Sequence, residues 1–228
     1  DYIFEPKNSY IKYHILYIML LAMTITGLSS CSENSNTVEE YPNWKATNES
    51  KFNSIYAEAV KYVASGSDSW KVNKEWSYQD SIHNNPEDYI VAQVITKGSG
   101  TISPIYSDSV RVHYEGRLLP STSYSEGYVF NKSWSTDEYN PSTNVPTKLA
   151  VSNVVDGFST ALQNMHIGDR WRVYIPYQLG YGSAGTTGIP GYSTLVFDIT
   201  LVSYYHVNVT VPDFKAKSTG NTNTWIDK

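Results

Sequence analysis

The 228-residue sequence has little charge and almost no cysteine, and each shortage excludes a class of protein. Only 17% of the residues are charged and the formal net charge is −5, so the basic surface expected of a nucleic-acid-binding protein is missing. The single cysteine, Cys31, excludes a disulfide within the chain. With few charges available, we expect the surface to depend on Tyr, Ser, Thr and Asn, and the 20 tyrosines agree with this.

A long hydrophobic run is missing as well. The apolar run at residues 15–28 is shorter than the roughly 20 residues that a membrane-spanning helix needs, but it has the length of the apolar region of a signal peptide. It leads into Leu28-Ser29-Ser30-Cys31, which resembles a bacterial lipobox, the signal in which the cysteine receives lipid. The alternatives are a secretory peptide with an unrelated cysteine, or a short buried helix.

This resemblance implies a lipoprotein signal peptide over residues 1–31 and lipidation at Cys31. We therefore expect a protein of the bacterial cell envelope that is anchored to a membrane, most simply the outer membrane, and faces the periplasm or the cell surface. Several acyl chains on one cysteine give a stable anchor, whereas one chain binds a membrane only reversibly.

The stretch that follows the cysteine divides into a tether and a helical extension. Residues 32–43 are polar and acidic, which is typical of a tether. Residues 48–64 carry apolar side chains at helical spacing and predict a helix, within an N-terminal extension of residues 44–88. The apolar stripe is narrow, so the helix needs a partner surface, either the following domain or a second copy of the chain.

From residue 89 onward the pattern changes to that of strands. Four segments have the composition or the alternation of strands: residues 89–97, 108–119, 169–176 and 193–204. A short helical segment, residues 155–165, lies between the second and the third. We predict an α+β domain at residues 89–204, with an antiparallel β-sheet of about five to six strands wrapped on a short central α-helix. Residues 205–228 are a polar tail with one predicted strand at 206–211.

Motifs for common catalytic chemistry do not fit this pattern. Residues 180–185 match G-x-G-x-x-G, but turn residues and then a strand follow, so no helix can begin there to bind a pyrophosphate. The five histidines are scattered without the spacing of metal ligands, so we predict no metal site and no cofactor. His113 alternates away from its strand neighbour Tyr114, and we interpret it as structural.

Six short segments resemble, in order, the motifs of the FK506-binding proteins (FKBPs). They are VHYEG at 112–116, VFNKS at 129–133, VVDGF at 154–158, MHIGDR at 165–170, LGYG at 179–182, and IP at 189–190 followed by TLVFD at 194–198. The resemblance covers about residues 89–204. It implies an FKBP-like fold and the activity of a peptidyl-prolyl cis–trans isomerase, an enzyme that assists protein folding.

The resemblance also assigns roles to residues of a pocket. The backbone N–H of Val155 and the hydroxyl of Tyr181 would bind substrate carbonyls, and Tyr114 would flank the rotating carbonyl. The side chains expected to receive or line the proline ring are Phe130, Phe158, Phe197, Val154 and Ile189. Tyr114 and Tyr181 are expected to be buried phenols, each of which needs a hydrogen-bond partner.

Two positions depart from the family motifs. Asn131 stands where the family has Asp, and Phe158 stands where it has Trp. The resemblance implies proline-containing polypeptides as partners, with FK506-like macrolides as potential ligands. Two other functions stay open: a non-catalytic chaperone or binding module on the same fold, which Asn131 favours, and a surface lipoprotein that binds glycans through exposed Tyr and Trp.

Overall fold

A computed structural model describes residues 38–208, which contain one antiparallel sheet and two α-helices. The helices are α1 (Trp44–Ala64) and α2 (Asp156–Leu162). The seven strands are β1 (Trp70–Lys74), β2 (Tyr89–Thr96), β3 (Ser109–Leu118), β4 (Val129–Lys132), β5 (Thr147–Ala150), β6 (Arg170–Ile175) and β7 (Leu195–Tyr205). Cys31 and the predicted signal peptide lie outside the described residues.

The sheet has the strand order β1-β2-β6-β7-β3-β4, and β5 also pairs with β3. Every one of these pairings is antiparallel. Ile199 of β7 pairs with both Tyr114 of β3 and Trp171 of β6, and these three side chains belong to the core that includes Phe158 of α2. The helix α2 therefore packs on one face of the sheet. This arrangement confirms the predicted α+β, FKBP-like fold.

The helix α1 packs on the opposite face of the sheet. Its Phe52 and Ala59 are buried against Val91 of β2, with Val72 and Tyr174 around them. The predicted helix is confirmed, although it begins at Trp44, four residues before the predicted start at residue 48. The first turn was missed because Trp44 and Asn48 are buried by contacts with distant residues, which helical periodicity cannot show.

Two stretches predicted to lie outside the sheet or the domain make contacts with it. The strand β1 lies within the segment 65–88, where the residue pattern predicted no strand, and it pairs with β2 from Trp70↔Gln93 to Lys74↔Tyr89. With β1 and the four-residue strands β4 and β5, the sheet has seven strands and not the predicted five to six. Such short strands were missed because too few residues are present to establish an alternation.

The end of the predicted tether is also in contact with the domain. The carboxylate of Glu40 accepts hydrogen bonds from the Ser121 hydroxyl at 2.5 Å and the Ser123 N–H at 3.0 Å. At the other end of the chain, residues 206–208 form no strand, and the rest of the strand predicted at 206–211 lies outside the described residues.

Candidate active site

Four aromatic rings from four different elements meet on the face of the sheet that α2 covers. They are Tyr114 of β3, Phe130 of β4, Phe158 of α2 and Phe197 of β7. The ring centroids are 5.0 Å apart for Phe158–Phe197, 5.5 Å for Phe130–Phe197, 5.9 Å for Tyr114–Phe158 and 6.2 Å for Tyr114–Phe197. Interplanar angles between 61° and 89° make these contacts edge-to-face, the arrangement that aromatic quadrupoles favour.

The cluster has a buried floor and a partly open rim. Phe158 and Phe197 are only 3% and 5% exposed, whereas Tyr114 and Phe130 are half-buried. Val154 and Val155, at the start of α2, are also half-buried and pack against the same core. The apolar floor therefore meets solvent at an edge formed by aromatic and aliphatic side chains.

Gly116 permits the close packing of this cluster. It pairs with Phe197 on one side and Asn131 on the other. A Cβ at this position would lie 2.4 Å from Cε1 of Phe197 and 2.6 Å from Cε2 of Phe130, so a side chain would displace both rings. This glycine lies in the segment 112–116, and the family resemblance assigns it no role. Its place inside a strand, where glycine often marks a close approach, was the available signal.

The polar group nearest the cluster is the Tyr114 phenol. Its hydroxyl donates to Oδ1 of Asn131 at 3.2 Å, and Asn131 is exposed. Burial raises the pKa of Tyr114, and the nearby Tyr181 phenol adds to the rise. Tyr114 therefore stays a neutral hydrogen-bond donor throughout the physiological range.

The loop between the short helix Tyr177–Leu179 and β7 contributes Tyr181 and Ile189. Ile189 is buried at 5% exposure within the core that holds the four rings. Tyr181 is 39% exposed, so the prediction that its phenol is buried is wrong. The same prediction for Tyr114 is only partly correct, because Tyr114 is half-buried. The loop turns back on itself, with hydrogen bonds of 2.9 Å in both directions between Thr186 and Ile189, and no helix follows residues 180–185.

Val155 occupies the position immediately before α2. Its carbonyl accepts the Ser159 N–H at 3.0 Å, which places Val155 at the entrance of the helix. The N–H groups at the beginning of a helix have no partner within the helix and can donate to another molecule. Seven of the residues predicted for the pocket lie in this core or pack against it: Tyr114, Phe130, Val154, Val155, Phe158, Ile189 and Phe197. Asn131 and Tyr181 are exposed and do not belong to the core.

His113 lies on the other face of β3, away from Tyr114. It is 5% exposed, and its ring centroid is 5.0 Å from that of Tyr139. Burial lowers the pKa of His113, so its imidazole is neutral. Within residues 38–208, no group of three His, Cys, Asp or Glu side chains is placed to hold a metal ion. None of the helices in that range has the length and hydrophobicity to cross a membrane.

Sequence comparisons identify relatives of this domain. A family model described as FKBP-type peptidyl-prolyl cis-trans isomerase matches residues 100–202. The chain is 42% identical over 115 residues to a macrophage infectivity potentiator of Trypanosoma cruzi, which covers 50% of this chain and 52% of the relative. It is 33% identical over 158 residues to an FKBP-type 22 kDa peptidyl-prolyl cis-trans isomerase of Escherichia coli K12, with coverages of 69% and 65%. The matches thus span between half and two thirds of these relatives.

Solved structures are also similar. A peptidyl-prolyl cis-trans isomerase from Pseudomonas syringae matches with a TM-score of 0.43 and 25% identity, over 67% of this chain and 94% of that one. FkpA from Escherichia coli matches with a TM-score of 0.43 and 22% identity, over 88% and 74%. The sequence matches carry the assignment: residues 100–202 of this chain match the FKBP-type peptidyl-prolyl cis-trans isomerase family.

Proposed function

We propose that this domain catalyses cis–trans isomerisation of X–Pro peptide bonds in polypeptides and so assists protein folding. The observation that supports this most strongly is the cluster of Tyr114, Phe130, Phe158 and Phe197, whose centroids lie 5.0–6.2 Å apart. Rings with a buried floor and an exposed edge form an apolar surface on which a proline ring can be held.

Such a surface can accelerate rotation without a nucleophile or a metal ion. Amide resonance gives the peptide bond a rotational barrier of about 18–20 kcal/mol. The twisted transition state loses this resonance and carries less charge on its carbonyl oxygen, while water favours the planar and more polar amide. A site that excludes water therefore binds the twisted amide in preference to the planar one.

The proposed roles follow from the positions of the residues. Phe130, Phe158 and Phe197 receive the proline ring, and Val154 and Ile189 complete the apolar lining. The hydroxyl of Tyr181, a residue that is 39% exposed, and the N–H of Val155 bind carbonyls of the substrate on either side of the ring. Tyr114 flanks the rotating carbonyl, and Asn131 fixes the orientation of its hydroxyl through the 3.2 Å hydrogen bond.

One observation favours a second function, binding of proline-containing segments without catalysis. Asn131 is neutral, whereas the family motif has an acidic residue at this position. A carboxylate accepts a stronger hydrogen bond than an amide oxygen, so the Tyr114 hydroxyl is less polarised here. A chaperone or binding module would keep the affinity for proline but lack the rate enhancement. FK506-like macrolides would bind the same surface in either case.

The location of the protein is a further part of the proposal. The apolar run at 15–28 and Cys31 support a lipid-anchored protein of the bacterial cell envelope. Relatives named FkpA and Mip, from Escherichia coli and Coxiella burnetii, are 35% and 34% identical to this chain over 113 and 112 residues.

The proposal is tested with a proline-containing tetrapeptide at low temperature, where uncatalysed isomerisation takes tens of seconds or longer. Tyr181→Phe removes the hydroxyl proposed to bind substrate, and Tyr106→Phe is the matched control because its ring is also exposed, at 42% against 39%. We expect kcat/KM to fall about 3- to 10-fold in Tyr181→Phe, the effect of one lost hydrogen bond, and to be unchanged in Tyr106→Phe.

Phe197→Leu tests the apolar floor and keeps most of its volume. We expect kcat/KM to be lower in Phe197→Leu than in wild type, and we expect circular dichroism to show that the domain remains folded. Equal rates for wild type and both pocket variants would contradict the assigned roles. Peptide binding without any acceleration would favour the binding module.

A further inference from the structure

We propose that the first turns of α1 clamp the loop at residues 180–194, and that Trp44 and Asn48 are positioning residues for the proline-binding pocket. This inference rests on the proposed function, since the loop carries Tyr181 and Ile189. The family match at residues 100–202 does not include α1, so the matched motifs do not account for these contacts.

The first contact is a hydrogen-bond relay from Trp44 into the loop. The indole Nε1–H of Trp44 donates to Oγ of Ser193 at 2.8 Å, and this hydroxyl donates to the carbonyl of Pro190 at 2.7 Å. Trp44 and Ser193 are 8% and 2% exposed, so water does not compete for either bond. Two successive bonds of this kind polarise and strengthen each other. The relay thus reaches the residue that follows Ile189.

The second contact is made by Asn48. This residue is completely buried, and its amide Nδ2 donates to the carbonyl of Trp44 at 2.7 Å. Its Oδ1 accepts the backbone N–H of Thr194 at 2.7 Å, directly before β7 begins. Asn is a poor helix former, so its place inside a helix calls for a tertiary reason. The bond to Thr194 supplies that reason, because the backbone N–H of this buried residue would otherwise need another acceptor.

The third contact holds a strained part of the loop. Tyr192 has a φ of +64°, a left-handed conformation that is uncommon and strained for a residue other than glycine. Lys45 of α1 lies over the Tyr192 ring, 5.1 Å from its centroid, and Tyr177 contacts the same ring edge-to-face at 5.1 Å. The Tyr192 N–H donates to the carbonyl of Gly182 at 3.0 Å. The strained residue therefore connects α1 to the backbone next to Tyr181.

Beside α1 there is free space into which the loop could move if these contacts were lost. A cavity of about 200 Å³ lies between α1, residues 176–178 and the end of the loop, and is lined by Asn48, Glu49, Phe52, Tyr177 and Thr194, among others. An intact clamp prevents the loop from entering this space. Without the clamp, the loop would shift and take Tyr181 and Ile189 away from the aromatic cluster.

The test uses the full chain with Trp44→Phe and Asn48→Ala. Trp44→Phe keeps an aromatic ring but removes the N–H donor and part of the indole, and Asn48→Ala removes both bonds of the amide. We expect each to raise KM for a proline-containing tetrapeptide about 3- to 10-fold, with a smaller change in kcat. A double-mutant cycle of Trp44→Phe with Ser193→Ala should show non-additive effects on KM, because both changes remove the same relay.

Ala59→Gly is the matched control for a loss of helix stability. It weakens α1 near the end remote from the loop, where Ala59 packs on Val91, and we expect an unchanged KM. If Trp44→Phe and Ala59→Gly alter KM equally at equal losses of melting temperature, the clamp is overturned and α1 acts through stability alone.

Hydrogen–deuterium exchange tests the clamp without relying on activity. We expect faster exchange of the amides in residues 181–194 in Trp44→Phe and Asn48→Ala, and no change in Ala59→Gly. Unaltered exchange of the loop in both clamp variants would overturn the inference. An inactive wild-type protein whose loop exchange responds as expected would instead overturn the proposed function and leave the clamp standing.

Discussion

Asn131 is the residue at which this pocket departs most clearly from the chemistry of its family. Its amide oxygen accepts the Tyr114 hydroxyl at 3.2 Å from an exposed position, so an acidic side chain could be accommodated without a cost of burial. Compared with an acidic residue, the neutral amide of Asn131 therefore changes the polarisation of the Tyr114 phenol and not the packing of the site.

For Asn131→Asp we predict an increase in kcat/KM of about 3-fold, because a carboxylate roughly doubles the strength of the hydrogen bond from Tyr114. The measurement is the prolyl tetrapeptide assay. Asn53→Asp introduces the same charge on an exposed position of α1 and should leave the rate unchanged. An equal or lower rate in Asn131→Asp would show that polarisation of Tyr114 does not limit the proposed isomerisation.

At the scale of elements, the docking of α1 depends on a few side chains. Phe52 is 3% exposed and packs against Val91 on the face of the sheet that α1 covers. Val60 on the same helix is 40% exposed. We predict that Phe52→Ala lowers the free energy of unfolding by about 3–5 kcal/mol, the usual cost of removing a buried phenylalanine. Val60→Ala should change it by less than about 0.5 kcal/mol.

Urea denaturation followed by tryptophan fluorescence measures both variants. A similar small loss for Phe52→Ala and Val60→Ala would mean that α1 is not packed on the sheet in solution. A separate early transition in Phe52→Ala, with the remaining domain intact, would mean that the helix unfolds independently.

The elements also show which parts of the fold could be predicted from the sequence. The long strands β2, β3, β6 and β7 and both helices have enough periodic residues to be recognised. The four rings could be grouped only through the motif resemblance, because they are far apart in the sequence. Tyr114 and Phe197, for example, are separated by 83 positions. Contacts such as Trp44–Ser193 could not be predicted, since no local pattern encodes a hydrogen bond across 149 residues.

At the scale of the whole molecule, the proposed lipid anchor would decide where the pocket operates. The segment that carries it, including Cys31, lies outside the described residues. We predict that the protein expressed in a bacterial host incorporates labelled palmitate and fractionates with membranes, and that Cys31→Ser abolishes both. Ser35→Ala, which lies outside the lipobox and keeps the cysteine, should retain the label. Labelling of Cys31→Ser would place the lipid elsewhere or contradict the anchor.

The short strand β1 has a consequence for any attempt to excise the domain at its predicted boundary, residue 89. Its five residues occupy one side of β2, from Trp70↔Gln93 to Lys74↔Tyr89. A fragment that began at residue 89 would leave that side with unpaired N–H and C=O groups, which recruit strands from other molecules. It would also expose Val91 to solvent, because α1 covers this side chain in the intact protein. Such a fragment should self-associate, whereas one that begins before Trp44 should remain dispersed.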